Sequence, residues 1–177
     1  MSGLLPVSDA LATMLARAPA PPPSVARSLL AARGAVLAGD VVAAIAVPPE
    51  DNSAMDGYAL RAAEAGGPLP VSQRIAAGTA AAPLAPGTAA RIFTGATVPP
   101  GADAVVIQEQ CREVDGCVQV LEPVSPGDNI RLRGQDIAEG SLVFAAGRRL
   151  RAPDLGLLAA LGLAEVPVYR PLRVALL

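Results

Sequence analysis

The sequence predicts an α+β fold that is mostly β, and two observations carry the prediction. From about Pro48 to Gly147, short runs of strand-forming residues alternate with Gly/Pro turns, as in a β-rich unit. The segments on either side, after Val7 and after Pro153, instead place apolar residues at helical spacing.

In chain order, Val7-Ser8-Asp9-Ala10-Leu11 opens a short amphipathic helix with Ser8 as its N-cap, and Leu11, Met14, Leu15 and Ala18 recur along one face. Pro19-Ala20-Pro21-Pro22-Pro23 stops it as a stiff extended linker. A second short helix is expected from about Ser24 to Arg33, ended by Gly34. Val41 to Ala46 is apolar throughout and reads as a strand closed by Pro48-Pro49. Further strands are expected over Gly57–Arg61, Gln73–Ala76, Ala89–Phe93, Ala104–Glu109, Val118–Leu121 and Ser141–Phe144. Ala80 to Ala90 reads as a surface loop.

Asp115-Gly116 is the clearest hairpin signal and pairs Val114 with Cys117 and Cys111 with Val120. The two cysteines then face opposite sides of the ribbon, which argues against a disulfide. Pro153 suits a first helical turn, Leu155, Leu158 and Leu161 form a stripe, and Gly162 ends it. Val166–Tyr169 is a short strand. Val174-Ala175-Leu176-Leu177 reads as the first strand of a further domain, so the chain reads as a fragment.

Composition narrows the chemistry. With no histidine, imidazole-based mechanisms are excluded, and with only Cys111 and Cys117 a structural zinc site lacks its usual ligands. A net charge of −2 and 2% aromatic residues give neither a basic footprint nor stacking platforms for nucleic acid. No stretch approaches the roughly 18 uninterrupted apolar residues of a spanning helix, and the N-terminus does not read as a signal peptide. The expected location is the cytoplasm. Asp, Glu, Ser, Thr, Arg and backbone N–H groups remain, a palette suited to hard cations and oxyanions.

Three stretches concentrate that palette. Pro48-Pro49-Glu50-Asp51-Asn52-Ser53-Ala54-Met55-Asp56-Gly57-Tyr58-Ala59 holds three carboxylates in a poorly charged neighbourhood. Turn chemistry accounts for it on its own, through side chains that bond nearby backbone and a glycine that accepts positive φ. The other reading presents Asp56 before a strand, where it can hold a divalent cation or a substrate donor. Arg91-Ile92-Phe93-Thr94-Gly95-Ala96 puts a hydroxyl and an approachable backbone at a strand end, which suits an oxyanion, or is simply an exposed threonine. In Gly127-Asp128-Asn129-Ile130-Arg131-Leu132-Arg133-Gly134-Gln135-Asp136-Ile137, Arg131 and Arg133 share a face of an extended chain and could bind an anion together, or the stretch is simply a polar, solvent-facing hairpin edge. Glu109 reads as a solvated or paired carboxylate.

Taken in this order, Asn52-Ser53-Ala54-Met55-Asp56-Gly57-Tyr58-Ala59, Ile92-Phe93-Thr94-Gly95-Ala96 with Pro100-Gly101-Ala102-Asp103-Ala104-Val105-Val106, and Asn129-Ile130-Arg131 with Gly134-Gln135-Asp136-Ile137 resemble the N-terminal region of the MoeA/gephyrin E-domain family, the molybdopterin molybdenumtransferases. The resemblance runs from about Ser8 to Leu177. It implies a helix-containing domain I over residues 1–46 and 147–172, with a β-rich domain II over 47–146 inserted in it, the two being intertwined. Residues 173–177 would begin a missing MogA-like α/β domain. It further implies a Mg²⁺-dependent homodimer with a composite active site that inserts molybdate into adenylylated molybdopterin. By motif match, Asp56, Thr94 and Asp136 fall on catalytic positions. Asn52, Ser53 and Gly95 fall on substrate-binding ones, with Asp56 also a candidate for Mg²⁺. Ala35, Gly39, Glu50 and Gln135 depart from the family's usual residues; Gln135 lowers the charge beside Asp136. A dimerisation or scaffold module without turnover is the alternative reading, and a stand-alone small-molecule β-domain a third.

Overall fold

The structure, a computed structural model, describes residues 4–18, 20–173 and 175. In chain order the elements are helix α1 (Val7–Ala16), strands β1 (Ser24–Ser28), β2 (Val41–Val42), β3 (Asn52–Ser53), β4 (Gly57–Leu60), β5 (Leu69–Ile75), β6 (Ala89–Ile92), β7 (Ala104–Ile107), β8 (Cys111–Val114), β9 (Cys117–Val120), β10 (Ile130–Arg131) and β11 (Leu142–Phe144), helix α2 (Ala152–Ala160) and strand β12 (Glu165–Tyr169). Among the described residues the fold is mostly β with two α-helices, the class that the sequence predicts. The chain divides into two compact units, Met1–Val41 with Val143–Leu177, and Val42–Leu142.

The first unit is built on α2 and the β1–β12 ribbon. Helix α2 carries a proline in its first turn, and Gly162 beyond its end has φ +77°. Leu158 packs fully buried with Leu37, Leu150, Val166 and Val168. The helix expected over Ser24–Arg33 is not there. Ser24–Ser28 is a strand, antiparallel to β12 with Val25 opposite Val168, and only Leu30–Ala32 forms a helical turn. A helix of about ten residues is marginal in water, whereas β12 offers a ladder partner to all five residues. The strand expected over Val41–Ala46 is only β2, because its partner segment turns at Gly140 (φ +80°). Helix α1 starts at Val7 with Pro6, not Ser8, in the capping position, and it buries none of its residues. The strand expected over 174–177 rests on residues outside those described.

Asp154, 4% exposed, anchors the start of α2. It accepts from Arg148 Nη2 at 2.8 Å and from the Arg151 backbone N–H at 2.9 Å. The hydrogen bond from Arg148, then that from Arg151, hold its pKa at about 2. A depressed folded-state pKa contributes stability above the unfolded value, lost as pH falls through the folded one. Asp154→Asn is therefore expected to flatten the fall in stability between about pH 4 and pH 2, and to lower the melting temperature at pH 7. Urea unfolding followed across pH checks both.

The second unit is a six-stranded sheet ordered β7-β4-β6-β5-β9-β8, antiparallel except for the β5–β6 pair. Both faces are covered. Tyr58, Leu60, Leu69, Val106 and Val118 form a cluster on one face, and Ala59, Ile75, Ile92 and Val105 join Leu84 on the other. Every residue of β4 is accordingly buried. Strand β5 begins at Leu69, ahead of the expected Gln73, because Leu69 and Pro70 pair with β9; pairing with β6 starts at Val71 and shifts register between Val71 and Gln73. Strand β7 stops at Ile107 instead of Glu109, giving way to a helical turn over Gln108–Gln110.

The Asp115-Gly116 hairpin pairs Val114 with Cys117 and Cys111 with Val120, as expected, and both thiols are free. The Ala80–Ala90 loop is more embedded than its composition suggests. Leu84 is 3% exposed, and the Gln73 side-chain amide bonds both backbone groups of Ala82. Among the described residues no helix is long and apolar enough to cross a membrane.

Candidate functional site

All three polar stretches of the sequence meet within the second unit, at β3. On one side the Ser53 N–H donates to Ala96 O, the Gly95 N–H donates to Ser53 O, both at 2.9 Å, and the Val98 N–H reaches Asp51 O at 2.8 Å. On the other side β3 pairs with β10, placing Ser53 opposite Ile130 and Asn52 opposite Arg131, and the Ala54 N–H donates to Asn129 O. Asn129 adopts positive φ (+53°) and donates its side-chain amide to Val105 O, so it fixes the loop from behind.

Beyond β3 the chain enters β4 through Asp56-Gly57. Gly57 is not in the left-handed region expected of a turn glycine; its reason is a close approach. A Cβ there would lie 1.9 Å from Val106 O and 2.8 Å from Val106 C. Gly57 pairs with Ile92 of β6, and the chain after Ile92 turns back through Thr94 and Gly95, where Gly95 does take positive φ (+81°). This register brings Asp56 onto the turn. The Thr94 backbone N–H and hydroxyl both donate to Asp56 Oδ1, at 2.8 and 2.7 Å.

The clasp holds the exposed Asp56 carboxyl below its ordinary pKa, first through the Thr94 N–H, then its hydroxyl, with Arg91 adding a smaller electrostatic pull. Asp56 is thus an oriented anion at neutral pH. Among the described residues its Oδ2 accepts no hydrogen bond, leaving one oxygen for a cation, a water or a substrate donor. The structure also revises the role expected of Thr94: both of its donors are aimed at Asp56, so it positions the carboxylate and does not present a donor outward.

Arg91, Gln108 and Glu109 belong to the same surface and carried no site signal in the sequence. Arg91 donates to Gly57 O at 2.8 Å and to Gln108 Oε1 at 2.6 Å, and its guanidinium lies over the rings of Tyr58 and Phe93 at 5.1 and 4.7 Å. Arg74 covers Phe93 at 4.6 Å as well. Glu109 is held below its usual pKa mainly by the Gln108 side chain, against repulsion from Asp56. The period of two along β6 put Arg91 and Phe93 on one face, but only the pairing of Tyr58 with Arg91 showed which strand they adjoin.

The other expected site residues are placed differently. Asp136 takes Arg131 Nη2 on its Oδ2 and its backbone N–H bonds Val47 O; no hydrogen bond among the described residues joins it to Asp56 or Thr94. Arg133 pairs with Glu139 and donates from its backbone to Asp51. Arg131 and Arg133 therefore do not form the shared anion site that the sequence left open, because each has its own carboxylate. Ser53, 1% exposed, closes its hydroxyl on Met55 O and so frames the loop from inside. With the amide oriented by its neighbours, Asn52 donates to the carbonyls of Glu50 and Asp51. Among the described residues no group of three acidic, cysteine or histidine side chains could hold a metal ion. Mg²⁺ is commonly bound by one or two carboxylates with substrate phosphates and water, and the open oxygen of Asp56 suits that mode.

Residues 5–162 match the family described as the MoeA N-terminal region, domain I and II. Molybdopterin molybdenumtransferase 2 of Mycobacterium tuberculosis (strain H37Rv) is 46% identical over 154 residues, covering 82% of this chain and 38% of the relative. The molybdopterin molybdenumtransferase of Haemophilus influenzae is 38% identical over 178 residues, 98% of this chain and 44% of its own length. A crystal structure of the molybdopterin biosynthesis MoeA protein from Pyrococcus horikoshii superposes with a TM-score of 0.85 at 32% identity, over 95% of this chain and 45% of that one. The chain thus spans less than half the length of these relatives.

Proposed function

This chain belongs to the family of MoeA N-terminal regions (domains I and II), and from that premise we propose that it is the N-terminal part of a molybdenum insertase. The full-length protein would insert molybdate into adenylylated molybdopterin, in the cytoplasm, as a step of molybdenum cofactor biosynthesis. The unit holding residues 42–142 corresponds in this reading to domain II, and the unit around it in sequence to domain I. One observation carries the proposal: three stretches separated by some forty residues each converge on β3, where Thr94 orients the Asp56 carboxylate at the surface with one oxygen open.

In the proposed reaction Asp56 orients the attacking water, or a hydrated cation, on the phosphoanhydride of the adenylate. Thr94 keeps that carboxylate ionised and aimed. Asp136 enters as a second carboxylate on the neighbouring ribbon, its Oδ2 already neutralised by Arg131. Mg²⁺, held through Asp56 Oδ2, would supply positive charge to phosphate oxygens. Gly95 allows close approach of a ligand to the backbone beside Thr94, and Asn52 and Ser53 hold the loop in shape for it.

Thr94→Ala in the full-length protein tests the positioning role. Losing the hydroxyl donor raises the pKa of Asp56, so the acid limb of the rate profile is expected to move to higher pH and turnover to fall about ten-fold. Thr94→Ser restores both. An unmoved acid limb would remove Thr94 from the site.

The homodimer belongs to the same proposal and is supported by α1, which leaves Val7, Leu11, Met14 and Leu15 between 54% and 84% exposed. A second copy covers this face in the reading we favour. Leu11→Glu with Met14→Glu is expected to shift the full-length protein from dimer to monomer in sedimentation velocity. The same bare face also supports the alternative reading, a dimerisation and spacing module. A dimeric full-length protein that neither binds molybdopterin adenylate nor turns it over would favour that alternative.

A further inference from the structure

We propose that the first unit carries a second binding site, a pocket for a phosphomonoester with an apolar body. A cavity of about 410 Å³ lies within that unit, lined by the chain at the Ser24–Tyr169 end of the β1–β12 ribbon, by Arg27 of β1 and by Arg33–Val36. Arg27, Arg33 and Arg170 line it together, and Pro22, Tyr169 and Pro171 give it apolar walls. An adjoining depression shares Arg27 and Arg170 and adds Arg173.

Among the described residues no acidic side chain lines either cavity, and no carboxylate forms an ion pair with Arg27, Arg33 or Arg170. The contrast within the unit is informative. Arg148 and Arg151, beside α2, both pair with Asp154. Arg27 is half-buried on the face of β1 that it shares with Val25, opposite Val166, and has no such partner. A partly desolvated guanidinium without a counter-charge is unfavourable until something supplies one.

The chemistry of the lining selects the ligand. Three guanidiniums exceed what one carboxylate can satisfy, since a carboxylate carries one charge and one bidentate face. A phosphomonoester carries close to two charges near neutral pH and three acceptor oxygens, enough to engage several arginines at once. The cavity lies in the size range of small-ligand pockets and is larger than a bare oxyanion needs. The proline and tyrosine walls then receive the apolar remainder, and a guanidinium can also stack on a flat ring.

The test uses the full-length protein and phenyl phosphate as probe, measured by titration calorimetry beside inorganic phosphate. Saturable binding is expected, tighter for phenyl phosphate than for inorganic phosphate and weakened by salt. Arg27→Gln with Arg170→Gln should weaken it about a hundred-fold, since each charged hydrogen-bonding partner accounts for about ten-fold. Arg33→Gln with Arg170→Gln, both at exposed positions, carries the same expectation if the half-buried Arg27 cannot be replaced without unfolding. Asp56→Asn should leave the binding unchanged. Absence of saturable binding, or binding that survives either arginine pair, would overturn the site. Equal affinity for the two probes would overturn the apolar part of its specificity.

Discussion

Asp56→Asn in the full-length protein is expected to lower molybdenum-dependent turnover of the adenylate by about 10²–10³-fold while leaving the fold intact. The two effects separate because asparagine is nearly isosteric. Its side-chain oxygen can still accept the N–H and hydroxyl of Thr94, which reach Asp56 Oδ1 at 2.8 and 2.7 Å. The negative charge and the open Oδ2 are what it loses. Both matter if the group orients water or a cation, and neither holds the loop together, since the Gly95–Ser53 and Ala54–Asn129 backbone bonds do that. The wild-type acid limb should lie below the usual carboxylate range, in keeping with the lowered pKa of Asp56, and should vanish in the variant. Melting curves provide the fold control. Unchanged turnover with an unchanged acid limb would take Asp56 out of the mechanism.

Gly57→Ala is expected to be the most damaging glycine-to-alanine change among the described residues. The new Cβ would sit 1.9 Å from Val106 O and 3.1 Å from the Ile107 Cα, all of it backbone of the paired strand β7. Strand β4 cannot retreat, because β6 flanks its other edge and all four of its residues are buried. Relief therefore requires breaking β4–β7 pairing, at a cost of about 3 kcal/mol or more. Asp56, one residue earlier, would be dragged off Thr94 with it. Gly95→Ala provides the comparison: its Cβ would meet only Ala77 at 3.9 Å, so the cost reduces to about 1–2 kcal/mol for a positive φ. Urea midpoints for the two variants rank them, and a Gly57→Ala midpoint equal to wild type would contradict the packing seen here.

Much of the fold was legible because its signals are local. Asp115-Gly116 specifies a turn through the φ each residue tolerates, and the ladder from Cys111 to Val120 follows by counting. The Leu155–Leu158–Leu161 stripe, with proline before and glycine after, marks α2 in the same way. The candidate site was legible only through the family resemblance: motif match picked out Asp56, Thr94 and Asp136, whereas residue type alone left each open to a turn or strand-end reading. What those side chains do to one another was not legible, because Asp56 and Thr94 meet only through the β4–β6 register. Arg91 and Glu109 gave no signal for the same reason.

The sequence by itself determined the alternation of strands and turns, both helices at the ends of the pattern and the stretches where polar chemistry concentrates. Each rests on steric and hydrogen-bonding preferences that act within a few residues. Only the tertiary structure decided that Ser24–Ser28 would be a strand, that Gly57 is needed for close approach and not for a turn, and that Arg131 is claimed by Asp136. It also decided that Thr94 faces inward to Asp56. Backbone ladders, backbone collisions and ion pairs all depend on which distant segments the sheet order makes neighbours. Local preference weighs little once such a partner is at hand.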